Sequence, residues 1–119
     1  MVQKAFFLLR LNDHVLYLKR IQATLEGTGD FQGTDYHECK LGKWLYGEGS
    51  EEADALGPEA KALFESLFEP HQQFHEASRH AVDKHAAGDV DAARAAATEM
   101  HKLSTVLVNK LLTLDQMVK

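Results

Sequence analysis

His71 and His75, in the stretch HQQFH, stand one helical turn apart, and a third histidine, His14, lies far upstream in NDHVLYL. The only cysteine, Cys39, falls between them in HECKLGKW. Neutral imidazole and thiolate are donors that zinc prefers, and structural zinc takes four ligands in a tetrahedron. A single histidine on an apolar helix face is more often a hydrogen-bonded core residue than a ligand. Three of them need a shared explanation, because each imidazole buried without a partner carries an unmet desolvation cost. A metal offers all three a partner at once, and Cys39 supplies the fourth donor. The set His14, Cys39, His71 and His75 therefore predicts one zinc ion per chain. Protons compete with the metal at all four positions, and an unperturbed histidine titrates near ~6.5, so affinity is expected to weaken below that region.

The histidines count as inward-facing because of the helices that must carry them. From Val2 to about Leu25, the residues Phe7, Leu11, His14, Leu18, Ile21 and Leu25 recur at steps of four and three, which is the apolar stripe of one long helix. GTGDFQGTD (27–35) breaks it with a loop, and YHECKLGKWLYGEGS is a short helical segment at best, ended by Gly47 and Gly49. Pro58 suits a first helical turn, so 58–68 reads as the next helix. Pro70 forces a kink or restart. A helix then runs to about Ala87 with the stripe Phe64, Phe68, His71, His75, Ser78 and Val82, closed by Gly88. Asp89 is placed to cap the last helix, whose stripe is Ala93, Ala97, Met100, Ser104, Leu107, Leu111, Leu114 and Val118. That stripe reaches the last turn without a stop signal, so the helix either frays or continues toward another domain. No segment alternates like a strand. The expected architecture is all-α: one domain over 1–119, a bundle of about four helices with a short extra segment carrying the cysteine motif.

Bulk properties exclude several classes. A net charge of −5 argues against a phosphate-binding nucleic-acid surface. The run AFFLL is too short for a signal-peptide core or a membrane span. One cysteine forms no intramolecular disulfide, so the chain reads as a cytoplasmic protein of a reducing compartment.

The ordered motifs resemble the chemoreceptor zinc-binding domain, CZB. That family's pattern is a histidine followed two residues later by a bulky apolar residue, then Cys-x-apolar-Gly-x-bulky, then HxxxH. The chain shows HVL (His14, Leu16), CKLGKW (Cys39, Leu41, Gly42, Trp44) and HQQFH (His71, His75) at similar intervals. The resemblance implies a bacterial cytoplasmic sensor of zinc or oxidant. It also implies attachment to chemoreceptors or diguanylate cyclases, or a stand-alone domain, often as a homodimer.

The physical reading gives Cys39 a distinct role as redox switch. It lies on a short segment between glycine-rich loops, whereas the histidines sit on long helices. Gly42 is expected to allow a close backbone approach, and Leu41 and Trp44 to anchor the segment, though ordinary packing explains these three equally well. His37 is the nearest rival ligand; His80, His85 and His101 fall off the stripes. Three other functions compete. A catalytic zinc keeps an open position that four protein ligands would close, and no nucleophile elbow or phosphate loop accompanies the site. A hemerythrin-like di-iron bundle needs bridging carboxylates and an HxxxE pattern that is absent. A purely structural zinc bundle would share every ligand with a sensor.

Overall fold

A computed structural model describes residues 7–118 as six helices. They are α1 (Phe7–Leu25), α2 (Lys40–Leu45), α3 (Gly49–Asp54), α4 (Pro58–Glu65), α5 (Phe68–Ala86) and α6 (Val90–Gln116). The first five residues of the expected N-terminal helix, 2–6, lie outside the described residues. The three long helices make a rod of 52 × 20 × 19 Å. In it α5 and α6 pack as an antiparallel hairpin, α1 lies against both, and α4 continues the line of packing onto α6. The short α2 rests on α1, and α3 rests on α4.

Local chemistry explains the boundaries. Gly88, at φ +79°, takes the left-handed turn after α5 at no steric cost. The Asp89 carboxylate then accepts a hydrogen bond from the Ala92 N–H at 3.1 Å, satisfying one of the orphan donors that open α6. Pro70 lies inside the first turn of α5, where a missing N–H removes no intrahelical bond. The break expected at Pro70 therefore falls earlier, at Ser66–Leu67. Ser66 ends α4 by donating to the Leu63 carbonyl at 2.6 Å, and Lys110 of α6 donates to the Ser66 hydroxyl at 2.8 Å. That contact pins the joint to the bundle.

The core follows the stripes, with one rotation. Ile21, Met100, Leu107, Leu111 and Leu114 are fully buried, as their spacing requires, and so is Phe74, which lay off the stripe read for α5. On α1 the buried line runs through Phe7, His14, Tyr17, Ile21 and Thr24, so Leu11, Leu18 and Leu25 sit at its edge. Helix α3 was not expected. It opens at Gly49, where a Cβ would come within 2.7 Å of the Phe64 ring and 2.8 Å of the Trp44 carbonyl oxygen. The glycine reads as a terminator in sequence; in the fold it is the point where α3 closes on its neighbours. Among the described residues, no helix is long and apolar enough to cross a membrane.

Candidate metal centre

Two rigid elements and one loop converge on the site. His71 and His75 both face inward from α5 because four residues return to the same side of a helix. Both are buried, and their rings meet edge to face with centroids 4.8 Å apart. Cys39 approaches from the other side as the N-cap of α2. One ligand atom each from Cys39, His71 and His75 lies within 4.8 Å of the other two.

The distances suit a small ion. Cys39 Sγ stands 3.3 Å from His71 Nε2. Bond lengths of about 2.3 Å to sulfur and 2.0–2.1 Å to nitrogen give a tetrahedral S···N edge of about 3.5 Å. His75 is oriented from behind: its Nδ1 lies 3.1 Å from the Thr34 carbonyl oxygen, which can only accept. The proton is therefore on Nδ1, and Nε2 carries the lone pair a metal needs. Tyr17 strengthens that support. Its hydroxyl stands 3.2 Å from His75 Nδ1 and accepts the Thr34 N–H at 2.9 Å, tying α1, α5 and the 27–35 loop together. The donor set and its orientation fit zinc.

His14 stands apart from that trio. It is buried on α1 with its ring against Phe74, centroids 4.6 Å apart, and its Nε2 is 2.9 Å from Ser104 Oγ of α6. If Ser104 accepts from Nε2–H, Nδ1 holds the lone pair. His14 faces the same cavity as Cys39 and His75, yet none of its nitrogens falls within the 4.8 Å set.

The other motif residues divide by burial. Leu41, Gly42, Trp44 and Leu45 are buried, while Leu16 is 48% exposed at the cavity mouth. Trp44 stands edge-on to Phe7 and to Phe64, with centroids at 5.6 and 5.3 Å, and its indole N–H donates to Glu52 of α3. Gly42 fits because a Cβ there would overlap the Tyr36 carbonyl oxygen. Its N–H donates to Cys39 Sγ at 3.2 Å. His37 is exposed and bonded to Asp35 at 2.7 Å, and His80, His85 and His101 are exposed as well. The residues the sequence reading missed are Tyr17 and Ser104 as supports. Ser104 was already on the α6 stripe. Tyr17, three residues after His14 and four before Ile21, had the spacing of a core residue.

Electrostatics keep the site neutral without metal. Burial lowers His14 from the ordinary 6.5 to about 4, with the charge of His75 adding to the effect. Burial also takes His71 to about 3, helped by the other histidines. His75 falls to about 4 by burial, although its bond to Thr34 and nearby Asp35 oppose the shift. Burial raises the Cys39 thiol, against the N–H groups of Gly42, Leu41 and its own backbone.

These shifts bear on the expected pH dependence, because the metal-free folded chain holds its histidines neutral. The histidines of the folded chain stay neutral well below pH 6.5, so between pH 7 and 5 protons compete with zinc through the thiol alone. Zinc binding at neutral pH should release about one proton, which calorimetry in buffers of different ionisation heat measures. Stability without metal has its own sign. The unfolded chain binds protons near 6.5 that the folded chain refuses until about 4 for His14 and His75 and about 3 for His71. Stability from these groups is therefore whole above pH 6.5 and falls on acidification through that window, by about 1.4 kcal/mol per pH unit for each histidine. Urea melts of chelated protein from pH 7 to 4 should show that loss; a flat profile would contradict neutral burial.

The chemoreceptor zinc-binding domain family matches residues 14–82, more than half of the chain. The chain belongs to that family. The match begins at His14, takes in Cys39 and both α5 histidines, and ends in α5. No curated protein and no solved structure matched the chain. CZB is a zinc-binding, chemoreceptor-related domain family, and this CZB chain has a Cys/His cluster able to hold a metal.

Proposed function

We propose that this CZB domain is a cytoplasmic sensor of bacterial signalling whose zinc is held by His14, Cys39, His71 and His75. Cys39 is the ligand that lets go. The observation that carries the reading is the approach of Cys39 Sγ to His71 Nε2, beside a His75 already locked with its Nε2 lone pair available. When bound, zinc holds the sulfur as thiolate, which is nucleophilic toward oxidants such as peroxides. His14 is the fourth ligand in this reading because it lines the cavity that Cys39 and His75 also line, although its nitrogens stand outside the 4.8 Å set.

The histidines are fixed by helix packing and by Thr34, Tyr17 and Ser104. Cys39 is fixed mainly by the Gly42 N–H and the Tyr36 carbonyl. Oxidation of the sulfur to sulfenic acid weakens its donor strength. The movement that follows does not take in the whole short segment that carries the cysteine. Leu41, Trp44 and Leu45 are buried, and exposing them would cost roughly 5 kcal/mol or more. Release is therefore confined to about 36–40, with α2 still docked and Trp44 relaying any shift to α3 and α4. The output is a chemoreceptor or diguanylate cyclase, in cis or in trans, read by a homodimer. Exposed Leu8 and Leu9 of α1 and Val106 and Leu112 of α6 offer apolar surface for that pairing.

Cys39→Ala should keep zinc at about a hundredfold lower affinity. In the wild type, a mild oxidant should raise hydrogen exchange across 36–40 and leave 41–45 protected. Unchanged exchange after confirmed Cys39 oxidation would leave a structural zinc site. Iron in place of zinc on elemental analysis would favour an oxygen-binding bundle instead.

A further inference from the structure

The cavity that His14, Cys39 and His75 face extends well past them. Its volume is about 550 Å³, far more than an ion requires and within the roughly 300–1,000 Å³ of small-molecule sites. Part of the cavity wall is apolar. Phe31 forms it, held edge-on by Tyr17 with centroids 5.2 Å apart, while Thr24 Oγ1 donates to the Phe31 carbonyl at 2.6 Å. The mouth is basic. Lys19, Arg20 and Lys40 line it, and the Arg20 guanidinium is seated 3.8 Å over the Phe31 ring. Two acids also line it: Asp13, already paired with Arg10 at 3.1 Å, and the exposed Glu38. The unpaired charge at the mouth is therefore positive.

We propose that this cavity binds a small amphipathic carboxylate, with its apolar tail against Phe31, Tyr17 and Leu41 and its head on Arg20. Three rim cations against one free acid leave an excess positive charge that suits an anionic head. The apolar wall demands a hydrocarbon body, and Arg20 offers a planar fork that matches a carboxylate. This site goes beyond zinc binding, although its cavity shares the walls formed by His14, Cys39 and His75 with the proposed metal centre.

The probe is hexanoate, titrated into zinc-free and zinc-loaded protein and followed by backbone amide shifts. Saturable one-to-one binding with shifts clustered in 16–23 and 31–41 is expected. Hexanol should bind about tenfold more weakly, and Arg20→Gln, an exposed position, should weaken hexanoate by about tenfold with the fold intact by circular dichroism. Equal affinity for hexanol and hexanoate, shifts centred elsewhere, or no saturation in either metal state overturns the proposal. The zinc-free arm separates this result from the zinc reading, which stands or falls on metal content.

Discussion

Replacing His71 by leucine should stabilise the metal-free protein while weakening its hold on zinc. His71 is 0% exposed, and its Nδ1 has no hydrogen-bond partner among the described residues. Whichever tautomer it adopts, one ring nitrogen contacts Cys39 and the other is buried unmet. A buried polar atom left unpaired costs about 1–3 kcal/mol, and leucine fills a comparable volume without it. Cys39 keeps the Gly42 N–H and the Tyr36 carbonyl as partners, so the substitution strands no new group. His71→Leu should therefore gain about 1–2 kcal/mol in urea melts of chelated protein. Zinc affinity moves the other way. One ligand in four is about a quarter of the roughly 12 kcal/mol typical of a structural zinc site, a loss of more than a hundredfold. A variant that lost stability without metal would show that His71 is held for packing rather than for ligation.

Gly42→Ala should damage the site from a residue that donates nothing to the metal through its side chain. The added methyl would overlap the Tyr36 carbonyl oxygen and stand 3.3 Å from Cys39 Sγ. The obstacle is backbone, so no side-chain tip can swing away. Either the 36–39 turn lifts or α2 undocks, and Cys39 leaves His71 in both cases. Overpacking of this kind costs about 3 kcal/mol. Zinc affinity should fall at least about tenfold with it, because the sulfur is displaced. Lys43→Ala, an exposed position on the same helix, is the control and should change neither stability nor zinc binding. Thermal melts with and without zinc read both effects together; an unaffected Gly42→Ala would remove the case for a tightly closed cysteine turn.

The long helices were legible because their apolar residues repeat with the helical period over many turns, so single exceptions do not hide the face. The stops were legible too: Gly88 and Asp89 end α5 and start α6 by chemistry local to two residues. That His71 and His75 share an inner face, and that His14 is buried on α1, could be read because HxxxH and a central histidine on another stripe are periodic facts. What escaped the reading depends on contacts between distant segments. Gly49 looks like a breaker until Phe64 and the Trp44 carbonyl fill the space beside it. Tyr17 supports His75 only because the 27–35 loop folds back to bring Thr34 to both of them, and loop paths leave no periodic trace. The restart near Pro70 was placed late because proline in a first turn is permitted, so the break is set by Ser66 and Lys110 instead. Burial likewise moved the histidine titration from near 6.5 down to 3–4, a shift that residue types alone do not carry.

Whether His14 joins Cys39, His71 and His75 is the central claim, and X-ray absorption at the zinc edge of the purified protein tests it most directly. The account predicts one zinc per chain with one sulfur at about 2.3 Å and three imidazole nitrogens at about 2.0–2.1 Å, falling to two nitrogens in His14→Ala. A shell of two nitrogens, one sulfur and a water oxygen in the wild type, unchanged by His14→Ala, would contradict it.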